Sequence, residues 1–411
     1  MLESFRVLDL TDEKGFLGGR ILGDLGADVI KIEPPRGEPG RNIGPFYKDI
    51  PHPEKSLYWF AFNANKRGIT LNLETADGRE IFQRLLKTAD CVLESFPPGY
   101  LNERGLGYSE LQRINPRLIM TSITPFGQSG PYRDFKSSDL VAMSMGGFTY
   151  LTGDPERPPV RISFPQAYLH AGADAATATM IAYYYREVSG EGQHIDVSIQ
   201  LSVSINLTQA APLKELHGFI SRRAGVYRPG ILTAELSRLV WPCEDGFVNF
   251  GFYGGSLGAK TNRALVQWMD EEGLADDFLK GVDWDNFDLG RLTREELQRY
   301  EERIAQFFLR HTKADLYGGA IKRGMILYPV NTIGDLVEDP QLKGRKFWVQ
   351  VNHPELGEDL IYPGPFIWTQ ETPPSIRRRA PLIGEHNLEI YERELSFSRR
   401  EILILKEAGV I

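Results

Sequence analysis

Apolar and polar positions follow two rhythms over the first 125 residues of the chain. Short apolar runs at Arg6–Leu10 (RVLDL), Asp28–Glu33 (DVIKIE), Ile69–Leu73, Cys91–Glu94 and Leu118–Ile123 (LIMTSI) have the length and composition of buried strands. Between them, Phe16–Leu25 carries apolar residues at helical spacing, and a helix opens at Thr75 and runs through IFQRLLK. Strands separated by helical segments of about 10–15 residues predict parallel βαβ units, hence an α/β fold. In such open sheets ligands bind beyond the carboxyl ends of the strands. The loops Glu33–Gly37, Ser95–Gly99 and Pro125–Pro131 are therefore the expected walls of a site.

The middle of the chain changes character. Ala171–Arg186 is rich in alanine, ends in three consecutive tyrosines and reads as a mostly buried helix closed by Ser189 and Gly190. Gln193–Ile199 alternates like a strand, and Ser221–Gly230, with its glycines and arginines, reads as a linker. Beyond it, a strand at Phe247–Phe252 and helices at Leu265–Trp268, Glu296–Leu309 and Lys313–Lys322 predict a smaller domain of about a hundred residues. From Tyr328 a third pattern follows: a short helix, strands at Phe347–Val351 and Leu360–Tyr362, and a last helix at Arg400–Lys406.

Composition narrows the function classes. The 411 residues carry a net charge of -8 with both signs interspersed, which argues against a nucleic-acid binder. Cys91 and Cys243 lie far apart, so neither a disulfide framework nor a cysteine zinc site is expected, and a reducing compartment fits. The start, MLESFRVLDL, lacks the basic and apolar regions of a signal peptide, and no stretch has the length of a membrane span. A cytoplasmic location is the expectation. The glycines after the first strand lack GxGxxG spacing, and Asp12 and Glu13 stand where a pyrophosphate would approach, so a dinucleotide site is disfavoured. The seven histidines show no HExxH spacing, His170 reads as a packing residue, and GxSxG is absent. Neither a metal nor a tightly bound cofactor is expected.

Several segments in register resemble the family III CoA-transferases. They are RVLDLT with LGADVIKIEPP, NANKRGITLNL, DCVLESFPPGYLNERGLGY, NPRLIMTSITPFGQSGPY, SSDLVAMSMGGFTYLTG, PPVRIS, SGEGQHIDVSI, DPQLKGR, APLIGEHN and the closing AGVI. The resemblance runs from Arg6 to Ile411 and includes the formyl-CoA, carnitine and benzylsuccinate types, with the α-methylacyl-CoA racemases as relatives. It implies a large Rossmann-like α/β domain built from both chain ends, a smaller domain, and two subunits interlocked as rings. With the patterns above it divides the chain into 1–210, a linker 211–235, a small domain 236–327 and a return to the large domain at 328–411. A coenzyme A thioester is then the substrate rather than a resident cofactor.

In that family an aspartate attacks the donor thioester and passes through an anhydride and an aspartyl-CoA thioester, chemistry that needs a carboxylate. Counting back without gaps from Gly190–Gln193, its place falls on Tyr168 (PQAYLHAG), and a phenol with a pKa near 10 is a poor nucleophile. A racemase would also need a histidine where this chain has Ser138. The resemblance further places coenzyme A contacts at Lys14, Gly15, Arg36, Leu71, Phe96 and Arg104, and a mobile glycine loop at Gly254 and Gly255. Glu74 and Glu103 stand where the family tends to have cations, which leaves Arg36, Lys66 and Arg67 as further phosphate contacts. The expectation is a non-catalytic subunit whose homologous partner carries the aspartate. Two alternatives are an active homodimer using Asp174 or Asp139, and an acyl-CoA binding protein without turnover. Phe148, Tyr150, Tyr168, Phe252 and Tyr253 suit an aromatic acid as acceptor, and equally suit ordinary core packing.

Overall fold

Six strands form one parallel sheet in the computed structural model, which describes residues 1–229 and 236–411. They are β1 (Arg6–Leu10), β2 (Asp28–Glu33), β3 (Lys66–Thr70), β4 (Cys91–Glu94), β5 (Ile119–Thr124) and β6 (His194–Ser198). Their order across the sheet is β3-β2-β1-β4-β5-β6, so the chain reverses its direction of winding between β1 and β4. The helices are α1 (Phe16–Asp24), α2 (Leu57–Asn63), α3 (Ala76–Leu86), α4 (Tyr108–Ile114), α5 (Asp139–Met145), α6 (Phe148–Leu151) and α7 (Ala167–Ser189). The fold is α/β, as the strand and helix rhythms predict.

Alternate strand residues serve two separate cores, as the pleat requires. Leu8, Ile30, Ile69 and Val92 pack with Phe82 and Leu85 of α3 and with Tyr391, Ile402 and Ile411 from the end of the chain. Val7, Val29, Leu93 and Ile119 pack with Leu22 of α1 and Ala176 and Ala182 of α7. A sheet covered on both faces explains why its strands are continuous apolar runs rather than alternating ones.

Strand β3 begins at Lys66 rather than at the expected Ile69. Its first two side chains are long cations, which read as loop, yet both are buried. Lys66 Nζ donates to Asp9 Oδ2 at 2.8 Å, and Arg67 pairs with Asp28 at 2.6 Å and with Glu389 and Glu394 at 2.7 and 2.6 Å. Helix α7 begins at Ala167, four residues before the alanine-rich stretch, and its Ala171, Gly172 and Ala175 are buried. Small residues let α1 and α7 meet closely: a Cβ on Gly18 would stand 3.2 Å from the carbonyl oxygen of Gly172.

The chain divides into two units. The first comprises Met1–Phe148, Ile162–Leu207 and Gln341–Ile411, and holds the six-stranded sheet. The second comprises Thr149–Arg161 and Thr208–Pro340. Thr149–Arg161 and 328–340 thus group with the second unit, where the sequence pattern put them in the large domain. The expected linker 211–235 contains a helix at Ala210–His217 and a strand at Tyr227–Pro229, and its last residues, 230–235, lie outside the described residues. The second unit pairs antiparallel strands Val240–Cys243, Gly246–Phe250 and Leu327–Val330 against an aromatic core of Trp241, Phe250, Phe252, Trp284, Phe287, Tyr300, Phe307 and Phe308. Its helix Arg294–Phe308 starts on a capping box between Thr293 and Glu296.

Candidate active site

The carboxyl ends of β1, β2, β3 and β4 surround a cavity of about 570 Å³. It lies at the point where the strand order reverses, the usual ligand position of an open α/β sheet. Leu10, Thr11, Asp12 and Lys14 line it from β1, Ile32 to Pro34 with Glu38 and Pro39 from β2, Leu71 to Glu74 from β3, and Ser95 to Pro97 with Tyr100 from β4.

Buried polar contacts hold the floor. Asp9 receives Lys66 Nζ, the Thr11 amide at 2.9 Å and the Thr11 hydroxyl at 2.6 Å. Burial alone would raise the Asp9 pKa, but Lys31 and Lys66 outweigh it and hold the group near 2. Lys31 Nζ also donates to the Thr11 carbonyl, tying the turn after β1 to β2. The Asp12 amide donates to Ser95 Oγ at 2.8 Å, and that hydroxyl returns a bond to Asp12 Oδ1 at 2.8 Å. Glu33 is held by the fork of Arg41 at 2.6 and 2.7 Å. Burial pushes the Glu38 carboxyl up to about 7 despite the pull of Lys31.

Of the expected coenzyme A contacts, Lys14, Leu71 and Phe96 line this cavity. Gly15 is the buried residue next to Lys14, and a Cβ there would strike Thr11 and Ile123. Arg36 is exposed, on the loop between the lining residues Pro34 and Glu38. Arg104 stands beside two lining residues: its Nε and Nη2 donate to Glu74 at 3.0 Å each, and its guanidinium lies 3.6 Å over the Tyr100 ring. Lys66 and Arg67, expected as phosphate contacts, are instead buried in the ion pairs described above, so neither is available to a phosphate. Lys14 pairs with Asp12.

Tyr168 occupies the first turn of α7. No side chain of the N-cap residue Gln166 closes the helix; instead Asp139 Oδ1 accepts the amides of Gln166 at 2.8 Å and Ala167 at 2.7 Å. Burial, and then the charges of Glu13, Asp12 and Asp139, push the Tyr168 hydroxyl well above its ordinary pKa. Tyr58 of α2 is shifted up by burial and by Glu13, Asp139 and Asp12. The two tyrosines thus share one acidic surround with the turn after β1, and a phenolate nucleophile is disfavoured there.

Asp174 is exposed on α7. Six residues turn a helix through about 600°, so Asp174 projects about 120° around the helix from Tyr168 and more than one turn further along it. Ser138 caps α5 through Val141. Glu103 is largely exposed, 3.7 Å from Arg104. The proposed aromatic set is only partly brought together. Phe148 and Tyr168 pack on one cluster with Ala167, Ala171 and Val203, and the His170 ring is 6.2 Å from that of Phe148. Phe252 belongs to the core of the second unit, and Tyr150 is exposed beside Arg223. Gly254 and Gly255 form the strand-to-helix turn of the second unit, where Gly255 has a φ of 65° and a Cβ on Gly254 would lie 2.8 Å from the Phe287 carbonyl.

Sequence reasoning missed Glu38, Tyr58 and Tyr100. Tyr100 stacks on Phe96 at 4.3 Å in a turn after β4 rather than on a helix, so no periodic signal in the sequence marked it. Among the described residues no cluster of three or more His, Cys, Asp or Glu side chains is placed to hold a metal ion, and no helix is long and apolar enough to cross a membrane.

Comparison with known proteins gives the family. The family model described as CoA-transferase family III matches residues 2–387. The succinyl-CoA:(R)-benzylsuccinate CoA-transferase subunit BbsE of Thauera aromatica is 36% identical over 94% of this chain and 92% of that protein. The succinyl-CoA–D-citramalate CoA-transferase of Chloroflexus aurantiacus is 32% identical over 100% of this chain and 98% of that protein. A crystal structure of a CAIB/BAIF family protein from Brucella suis superposes with a TM-score of 0.80 at 28% identity, covering 94% and 97% of the two chains. Enzymes of this kind take coenzyme A thioesters as substrates. On these grounds the chain belongs to CoA-transferase family III.

Proposed function

We propose that this chain is the non-catalytic subunit of a heteromeric CoA-transferase. The complex would move coenzyme A in the cytoplasm from an acyl-CoA such as succinyl-CoA to a carboxylic acid, with an aromatic acid such as benzylsuccinate as the favoured acceptor. The observation that carries this reading is Tyr168 in the first turn of α7, where the family resemblance puts the nucleophile. A phenol held protonated by burial and by nearby carboxylates cannot pass through an anhydride and a thioester and return unchanged. Asp139 is engaged at the helix start, and Asp174 is exposed more than one turn further along α7. Two relatives support a divided enzyme: one is the subunit BbsE, and another is the beta subunit of a succinyl-CoA–L-malate CoA-transferase.

In this reading a homologous partner supplies the aspartate. Its carboxylate attacks the thioester carbon and expels coenzyme A thiolate. The thiolate then attacks the aspartyl side of the anhydride and releases the first acid. The acceptor carboxylate attacks the aspartyl thioester and expels the thiolate, forming a second anhydride; the thiolate then attacks its acceptor acyl carbon, giving the new coenzyme A thioester and releasing the aspartate. This chain contributes the second half of an interlocked pair, with Gly254 and Gly255 as the turn that closes over substrate; the partner binds most of the coenzyme A, and the cavity beside β1–β4 corresponds to the family's nucleotide position. Native mass spectrometry with and without acyl-CoA tests it. A one-to-one complex with adducts on the homologous partner alone is expected; a homodimer with an adduct on this chain overturns it.

A further inference from the structure

The cavity at the sheet's carboxyl edge carries an unusual charge balance. Asp12, Glu33, Glu38 and Glu74 line it; its one lining cation, Lys14, is paired with Asp12, and Glu33 is paired with the buried Arg41. At its rim all three guanidinium nitrogens of Arg104 are engaged. Nε and Nη2 donate to the two carboxylate oxygens of Glu74, and Nη1 donates to the Tyr100 carbonyl at 2.9 Å. The Tyr100 hydroxyl donates to Glu74 Oε1 at 2.5 Å, and the Tyr100 ring lies between the guanidinium and Phe96. Arg79 holds the backbone of the same loop through the Leu73 and Glu74 carbonyls at 3.1 and 2.9 Å. A planar carboxylate engaging a guanidinium through two parallel bonds presents the same acceptor pattern as a phosphate.

We propose that Glu74 is the specificity-determining residue of this cavity: it occupies Arg104 in place of a nucleotide phosphate and thereby makes this chain a poor binder of the phosphorylated end of coenzyme A. The inference rests on the reading of the cavity as the family's nucleotide position. An incoming phosphate must first displace the carboxylate and then remain within a few ångströms of a like charge. Glu74 therefore acts twice, by removing the donor and by repelling the ligand. The phosphate-free pantetheine arm meets neither obstacle. The lock is local, because the Glu74 amide bonds Asn72 Oδ1 at 3.1 Å independently of the carboxylate, so a glutamine at 74 keeps the loop in place.

The test titrates the full-length chain with adenosine 3′,5′-bisphosphate, by calorimetry at low salt, with pantetheine as the uncharged control. Glu74→Gln is expected to bind the bisphosphate at least tenfold more tightly than wild type. Glu74→Gln/Arg104→Gln should lose most of that gain, and pantetheine should bind all three proteins alike. Equal binding of the bisphosphate by wild type and Glu74→Gln overturns the proposal alone, since the cavity would then hold nucleotides regardless of Glu74. A gain that persists undiminished in the double variant also overturns it, because Arg104 would not be the group released. Failure of both wild type and Glu74→Gln to bind overturns the proposal together with the nucleotide reading of the cavity.

Discussion

Asp139 Oδ1 lies 2.7 Å from the amide nitrogen of Ala167, the residue immediately before Tyr168. One carboxylate oxygen thus accepts two consecutive amides at the start of a 23-residue helix whose own N-cap side chain does not close it. The first amides of a helix have no partner within it, and a carboxylate there is favoured by both hydrogen bonding and the helix dipole. Asp139→Ala should cost about 1–2 kcal/mol in denaturant unfolding, the range of a lost cap. Asp139→Asn, which keeps the accepting oxygen, should lose less than half of that. If Asp139 were a nucleophile, the difference between the two would vanish in an activity assay, with both variants equally dead.

Tyr168 makes a complementary prediction. Its hydroxyl is raised in pKa by burial, Glu13, Asp12 and Asp139, so it stays protonated throughout the neutral range. Tyr168→Phe should leave turnover of the assembled enzyme within about twofold of wild type, because no step is assigned to the oxygen. Loss of activity by a hundredfold or more, measured in the same assay, would make Tyr168 a catalytic residue after all.

The fold was legible because both of its rhythms come from burial. Leu8, Ile30 and Val92 on one face and Val7, Val29 and Leu93 on the other make apolar runs that only a two-sided sheet explains. The site was legible in part. Lys14, Leu71 and Phe96 reach one cavity because strand ends converge there, whatever the side chains. Lys66 and Arg67 were misread as ligands for phosphate because a cation in a sequence carries no mark of its partner: Asp9 is 57 residues from Lys66, and Glu389 is 322 from Arg67. The Glu74–Arg104 pair, 30 residues apart, was hidden for the same reason. Periodicity records which face is buried, not which charges meet.

Lys66 supplies the third prediction. Its ammonium is fully buried among Asp9 Oδ2, the Phe16 carbonyl and Asn63 Oδ1, at 2.8, 2.9 and 2.9 Å. Lys66→Met removes one partner of a buried pair and leaves Asp9 with Lys31, whose Nζ is 3.4 Å from Asp9 Oδ1. A cost of about 3 kcal/mol is expected, at the lower end for a broken buried pair because a second cation remains. The same cluster sets an acid limit. Asp9 has a folded value near 2, below its ordinary 3.8, so its contribution is present above pH 4 and is lost as pH falls toward 2. Chemical denaturation between pH 5 and 2 should show that loss in wild type and a smaller one in Asp9→Asn.

Glu94 reverses that sign. It is 4% exposed at the end of β4, and burial lifts its carboxyl to about 7, against the opposing pull of Ser122 and of the Phe96 amide, which donates at 2.7 Å. The protonated form is the one the fold favours. A raised carboxyl contributes stability below its unfolded value of about 4.5 and loses it as pH rises through 7. Glu94→Gln fixes the side chain in a neutral form and retains an oxygen for the Phe96 amide. The substitution should therefore change stability little at pH 4.5 and increase it by about 3 kcal/mol at pH 8, since each tenfold change in an acid constant is worth about 1.4 kcal/mol. Glu38, also raised to about 7, titrates in both proteins and cancels from the difference. Urea unfolding of wild type and Glu94→Gln at the two pH values measures it: a gain that appears only at the higher pH is the expected result, whereas an equal effect at both would trace to packing rather than to the buried charge.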